Sequence, residues 1–388
     1  MSSEPVNNQK KIMIIAAEAS SAHYAAQLMK QWKKNDTDHF FFGVGSNEME
    51  ALGQHRIGKS EDMAVMGIAE IVRHYSFLRN IFYNLISYAE KNRPDIVILM
   101  DYPDFNLRLA KKLKAMNIKI FYYISPQVWA WRQSRIHDIK AYCEKVFLLF
   151  PFEKIFYDHF QVPNSLVGHP LLDDLNPDLL DENKIFFQRS KYGIQKNEKV
   201  LALMPGSRHS EVEQLFQIQQ DVARNLLNKH SHLRILICVA PPLSKEYILQ
   251  RMENFNLPYI LIKEDPNLMI SMADYVLVAS GTATLMVGLL EKPMVIMYKM
   301  KWLTGMIGGV LLRHLKFFGL VNLILNEEVV PERKQKSANV KELTALMDRY
   351  MTDSIYTHKT IQKLKLLKTS LGDRGASLRV IAELDRYL

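Results

Sequence analysis

Residues 199–216 read KVLALMPGSRHSEVEQLF. A short apolar run ends abruptly at Pro205-Gly206-Ser207-Arg208, and a helical pattern starts straight after it. Val212, Leu215, Phe216, Ile218, Val222 and Leu226 fall mostly three and four residues apart, the repeat of one helix face. Ser210, Glu211 and Glu213 suit the start of that helix, where hydroxyls and carboxylates meet free N–H groups. A buried strand passing to a helix through a tight turn is the unit of an open parallel α/β sheet. In such sheets ligands bind beyond the carboxyl ends of the strands. Gly206 lets backbone approach closely, Ser207 offers a hydroxyl, Arg208 offers a planar fork of donors, and the helix adds free N–H groups. Together they describe a pocket for an anion, most simply a phosphate or diphosphate. An ordinary Pro-Gly turn with a solvated arginine is the plainer reading of the same residues.

The same grammar runs outward in both directions. Before residue 150 the apolar runs are 12–17, 40–45, 96–100, 120–125 and 146–150; after residue 184 they are 200–204, 233–240, 259–264, 275–280 and 294–299. Helical stretches lie between them, such as 106–117, where Leu109, Leu113 and Met116 share a face that Lys111 and Lys114 avoid. Near-continuous apolar strands separated by helices indicate parallel sheets covered on both faces. Between the two series lies PLLDDLNPDLLDENK (170–184), rich in Asp, Asn and Pro like a linker. The expected architecture is therefore α/β, with two Rossmann-like domains facing a cleft: 1–172, 173–345, and C-terminal helices at 346–388 packing back across the domains.

Three further turns carry candidate chemistry. In YVLVASGTATLMVGLLEKP (275–293) a buried strand ends in Ser280-Gly281-Thr282-Ala283-Thr284, a second donor-rich turn for the same ligand. In IVILMDYPDFNLRLAKKL (96–113) Asp101 closes a strand, where a carboxylate could serve as a general base, while Asp104 reads as a helix N-cap. In YYISPQVWAWRQSRIHDIK (122–140) Trp129, Trp131 and Arg132 could line an acceptor site, or belong to an exposed amphipathic helix. Residues 53–60, GQHRIGKS, spell a P-loop, but the helical-looking SNEMEAL precedes them where an apolar strand is required, so the match is a decoy.

The 388 residues are 48% hydrophobic and 23% charged, the balance of a globular chain, and 50 Lys and Arg against 41 Asp and Glu leave a net charge of +9. Such a surface favours anionic partners, although no aromatic-interleaved basic motif points to nucleic acid. The two cysteines, Cys143 and Cys238, sit in apolar runs and read as buried thiols. No zinc-type or other metal spelling appears, and no metal or cofactor is expected. The polar residues 1–11 do not resemble a secretory leader, so a cytoplasmic protein is expected. The long apolar stretch 302–326 is interrupted by Arg313, His314 and Lys316, which suits a surface-lying membrane segment or a core-packed helix better than a spanning one.

DYPDFNLRLAKKLK, YYISPQVWAWRQSRI, LFPFEKIFY, VGHPLLD, LMPGSRHSEV, ASGTATL and VVPE follow one another in an order that resembles the lipid-A-disaccharide synthase family, from about residue 12 to beyond 335. GVGSNEMEALG and MAVMGIAEIV fit it too. The resemblance implies an inverting, metal-independent GT-B glycosyltransferase. Its substrates would be UDP-2,3-diacylglucosamine and 2,3-diacylglucosamine 1-phosphate, and its products a β-1,6-linked disaccharide and UDP. It implies work at the cytoplasmic face of an inner membrane, on its phospholipid surface, and leaves a homodimer open. Carried over by position, Asp101 and Asn322 would be the catalytic pair, with Asp101 deprotonating the acceptor hydroxyl and Asn322 standing near the active cleft. Gly206, Ser207 and Arg208, with Ser280, Gly281, Thr282 and Thr284, would hold the UDP-sugar. Glu18, Ser20, Trp129 and Arg132 would belong to the first loop and the acceptor side. Two features depart from the family pattern: Ala17, Ser21 and Ala22 replace two Gly and an Asp in the first loop, and Met286 stands where a ribose-binding Glu is usual. These departures keep two alternatives in view, a paralogue with another donor and a non-catalytic UDP-sugar or lipid-binding protein.

Overall fold

The structure is a computed structural model that describes residues 9–35, 39–63, 71–130, 132–252, 255, 257–263, 265–299 and 316–388. Its first sheet is built from β1 (Lys11–Ala16), β2 (Phe40–Gly45), β3 (His55–Lys59), β4 (Ile96–Met100), β5 (Lys119–Tyr123), β6 (Lys145–Leu148) and β7 (Asn164–Leu166). They lie in the order β3-β2-β1-β4-β5-β6-β7, with every pairing parallel. The second sheet holds β8 (Lys199–Met204), β9 (Leu233–Cys238), β10 (Tyr259–Ile262), β11 (Tyr275–Ala279), β12 (Met294–Tyr298) and β13 (Glu332–Lys334). Its order is β10-β9-β8-β11-β12-β13, again all parallel. Central strands carry apolar residues on both faces because helices cover both: all five residues of β4 and of β11 are buried.

The sequence pattern missed β3, β7 and β13. The first and last are sheet edges and β7 is the opposite edge of the first sheet; their residues are mostly half-exposed, so nothing forces an apolar run. β3 covers most of the P-loop spelling. A helix at Asn47–Ala51 leads into it, and Gly58 and Lys59 lie inside the strand, so no phosphate loop exists there.

The chain divides into two compact units, residues 1–173 with 371–388, and residues 174–370. The C-terminal helices are thus shared out. Helices Val340–Thr352 and Ser354–Leu371 belong almost wholly to the second unit, whereas helix Ala376–Leu384 completes the first. In that first unit the Trp32 indole donates to Asp385 at 2.9 Å, Arg379 donates to the Val167 carbonyl at 2.7 Å, and Val380, Ile381 and Leu384 are buried. Cys143 and Cys238 are free buried thiols, both pushed up to about 12 by burial. Of the stretch 302–326, residues 302–315 lie outside the described residues, as do Trp131 and residues 64–70. The remainder includes the helix Leu320–Leu325, with Phe317 and Val321 buried.

Candidate active site

Each sheet has one place where the strand order reverses direction, between β1 and β4 in the first unit and between β8 and β11 in the second. Helices leaving the two strands there diverge, opening a crevice beyond their carboxyl ends. The turns singled out from the sequence occupy both crevices. Glu18 and Ser20 follow β1 and Asp101 follows β4; Gly206–Arg208 follow β8 and Ser280–Thr284 follow β11.

Around Asp101 the backbone is strained. Asp101 and Tyr102 are both left-handed, with φ of 47° and 46°, and on the neighbouring strand end Ile124 has φ of 62°. A β-branched residue rarely adopts that region, and each such residue costs about 1–3 kcal/mol. Several bonds hold the turn. The Asp101 N–H donates to the Ile124 carbonyl at 3.2 Å, and the Tyr122 hydroxyl donates to the Asp101 carbonyl at 2.5 Å. The buried Asn106 amide donates to the carbonyls of Met100 and Asp101 at 3.1 and 2.7 Å. Burial, and then the Asp101 charge, raise the Tyr122 phenol well above its ordinary range, so Tyr122 stays a donor. Asp101 itself is half-buried.

Glu18 is the N-cap of helix Ala19–Lys34, with its N–H bonded to the Ser21 hydroxyl at 3.1 Å and that hydroxyl returning to the Glu18 carbonyl at 2.9 Å. Ser21 and Ala22, found where the family pattern has small or acidic residues, are simply buried in this first turn, while Ser20 is exposed. The half-buried Tyr102 has its phenol raised by burial and then by the charges of Glu18 and Asp104, which places both carboxylates near it. Asp104 is not the N-cap that its position suggested: Tyr102 is the cap, Pro103 opens the helix, and the Asp104 carboxylate pairs with Arg135 and, at 3.0 Å, with Arg132. Trp129 lies in a turn, not on a helix, and packs edge-on against Phe152 at 4.9 Å. Beside it Glu153 is 3% exposed, accepts the N–H groups of Leu149 and Phe150 at 3.1 and 3.0 Å, and is pushed up to about 7 by burial.

In the second unit the Gly206 turn folds around a carboxylate of its own. Glu211 accepts the N–H groups of Ser207 and Arg208 at 2.9 and 3.2 Å and lies 3.3 Å from the Arg208 guanidinium, which remains 68% exposed. Gly206 has φ of +118°, and a Cβ there would stand 2.4 Å from the Glu211 carboxylate, so the site demands glycine twice over. Two of the donors expected for a phosphate are therefore engaged, and the guanidinium becomes the main cation of the turn. Tyr298 lies near this pair: burial raises its phenol, Glu211 adds to the rise, and Arg208 opposes it. After β11, Ser280 is half-buried and Gly281 and Thr282 are exposed. Thr284 departs from expectation: it is fully buried and donates to the Gly281 carbonyl at 2.8 Å, so it shapes the turn from within. Met286 is 4% exposed in the helix that follows.

Asn322 also departs from expectation. It is fully buried; its amide donates to the Val330 carbonyl at 2.8 Å and to Glu332 at 2.7 Å, and its oxygen accepts Val329 and Val330 N–H at 2.8 and 3.0 Å. With its bonds saturated it ties the VVPE segment to helix Leu320–Leu325 and has none left for a substrate. Glu332 completes the tie by accepting the N–H groups of Phe318 and Gly319.

Asn106, Tyr122 and Gln219 were not foreseen. Gln219, fully buried, ties the end of β8 to the middle of β11 by donating to the carbonyls of Met204 and Leu277, each at 3.2 Å. A signal for the two amides was available. Asn106 lies in line with Leu109 and Leu113, and Gln219 with Leu215, Phe216, Val222 and Leu226, each a polar residue on an apolar helix stripe.

Two parallel units of this order, with carboxylates at one switch point and a cation with small donors at the other, define the GT-B class of nucleotide-sugar folds. A family profile described as lipid-A-disaccharide synthetase matches residues 12–378. The chain is 38% identical over 382 residues to lipid-A-disaccharide synthase 1 of Legionella pneumophila strain Philadelphia 1, covering 97% of this chain and 98% of that one. It is 34% identical over 371 residues to the lipid-A-disaccharide synthase of Geobacter metallireducens, covering 96% and 95%. Among solved structures, the UDP-GlcNAc 2-epimerase of Neisseria meningitidis bound to UDP-GlcNAc shares the fold, with a TM-score of 0.66 at 14% identity over 97% of this chain and all of that one. The chain belongs to the lipid-A-disaccharide synthase family and is a glycosyltransferase.

Proposed function

We propose that this enzyme transfers 2,3-diacylglucosamine from UDP-2,3-diacylglucosamine to the 6'-hydroxyl of 2,3-diacylglucosamine 1-phosphate. Asp101 takes the hydroxyl proton as the oxygen attacks the anomeric carbon from the face opposite the nucleotide. The bond from that carbon to the UDP oxygen breaks, its electron pair leaves with UDP, and the configuration inverts to β. The Arg208 guanidinium, with the turn Ser280–Thr282, stabilises the charge that grows on the diphosphate. Glu18, Trp129 and Arg132 are assigned to the acceptor side. The observation that carries this reading is a carboxylate held on a strained, over-bonded turn at the switch point of the first unit.

The test is UDP release from purified protein given both substrates. Release that requires both, with appearance of a β-1,6 disaccharide, supports the proposal; no turnover beside an active relative contradicts it. Both substrates carry acyl chains, and the net charge of +9 favours an anionic surface, so peripheral attachment at the cytoplasmic face of the inner membrane is part of the proposal. Among the described residues no helix is long and apolar enough to cross a membrane. Sedimentation with phosphatidylglycerol vesicles, lost at high salt, is the expected behaviour; binding indifferent to anionic lipid contradicts it.

A further inference from the structure

The Asp101 turn contains a buried group that stability alone does not explain. Asn106 is fully buried on the apolar face of helix Pro103–Lys114. Its amide nitrogen reaches two consecutive carbonyls, Met100 at 3.1 Å and Asp101 at 2.7 Å, where β4 ends and the chain turns left-handed. Its side-chain oxygen has no hydrogen-bond partner. A leucine of similar volume would leave no orphaned acceptor, so the position keeps an amide for its donor end at the expense of the other. The Asp101 carbonyl thus receives two side-chain donors from two different elements, Asn106 on helix Pro103–Lys114 and Tyr122 on β5. With the carbonyl pinned and φ held at 47°, the direction in which the Asp101 side chain leaves the backbone is fixed before any substrate arrives.

We infer that Asn106 is a positioning residue for Asp101: it locks the left-handed turn and so aims the carboxylate, without touching substrate. Tyr122 is its partner in that lock. The inference rests on the reading of Asp101 as the base and deepens it. Because Asn106 acts only through Asp101, its removal lowers kcat and leaves nucleotide binding in the other unit untouched.

The experiment compares the full-length wild type with Asn106→Leu, Tyr122→Phe, Asp101→Ala and the double variant Asp101→Ala/Asn106→Leu, measuring kcat, both KM values, UDP affinity and Tm. The expected result for Asn106→Leu is a kcat lower by roughly thirtyfold or more, with each KM and the UDP affinity within about threefold of wild type. Tyr122→Phe falls in the same direction by a smaller factor. In the Asp101→Ala background, Asn106→Leu costs no further activity, a non-additivity that a merely structural role does not produce. A folded Asn106→Leu protein with wild-type kcat overturns the inference, as does a full additive loss in the double variant. Should Asn106→Leu fail to fold, Tyr122→Phe decides alone: unchanged kcat overturns the inference and a kcat-specific loss supports it. If Asp101→Ala itself turns over normally, it is the reading of Asp101 as base that falls.

Discussion

Ser207 donates its backbone N–H to the Glu211 carboxylate at 2.9 Å, and Arg208 does the same at 3.2 Å. The turn that looked from sequence like a phosphate cradle therefore carries an internal anion, which leaves the exposed Arg208 guanidinium as the group best able to meet a diphosphate. Arg208→Ala is expected to weaken UDP binding by roughly tenfold or more, the worth of one charge-assisted bond, with Tm within about 2 °C of wild type. Calorimetry with UDP and a thermal melt check both parts.

Gly206→Ala strikes the same turn through its backbone. An L side chain is strained at φ of +118°, and the new methyl would collide with the Glu211 carboxylate that caps the helix His209–Leu227. The expected cost is about 1–3 kcal/mol of stability, together with weaker UDP binding because Arg208 moves with the turn. Unchanged denaturant unfolding would show that the turn relaxes freely.

Asn322→Ala distinguishes a structural from a catalytic asparagine. Loss of four buried bonds should lower the unfolding free energy by about 2–4 kcal/mol. At 15 °C, well below the melt, kcat should stay within about threefold of wild type. A large loss of kcat in protein that is still folded would return Asn322 to the catalytic set.

Glu153 makes stability depend on pH. Its folded value of about 7 stands above the ordinary 4.5, so the folded state binds the extra proton and stability falls as pH rises from about 4.5 to about 7. Glu153→Gln keeps an acceptor for the Leu149 and Phe150 N–H groups and removes the charge. The variant should gain on the order of 1–3 kcal/mol relative to wild type at pH 8 and little at pH 4.5. Denaturant unfolding of both proteins at the two pH values measures this difference.

The legible part of the molecule was the part that burial enforces. IVILM and YVLVA must be central strands because both faces are covered, and small or charged residues directly after them stand out as turns at the carboxyl edge. β3, β7 and β13 escaped because short edge strands have one side free of such demands. Within the turns, residue type predicted place better than partner. Asp101, Arg208 and Ser280–Thr282 lie at switch points, yet Thr284 and Asn322 turned inward and Asp104 paired with two arginines. Such choices depend on which polar group comes nearest after packing, and spacing along one strand or helix does not encode that. The buried amides Asn106 and Gln219 were visible as breaks in an apolar stripe, but their partners were not: Asn106 turns back on the carbonyls of Met100 and Asp101, and Gln219 reaches the Leu277 carbonyl, which only the folded sheet brings near.

Asp101→Asn tests the central claim most directly, because it preserves shape and removes the base. In steady-state assays with both substrates, the account predicts a kcat reduced by about 10²–10⁴, with UDP affinity and Tm close to wild type. Turnover by folded Asp101→Asn protein within a few-fold of wild type would contradict it.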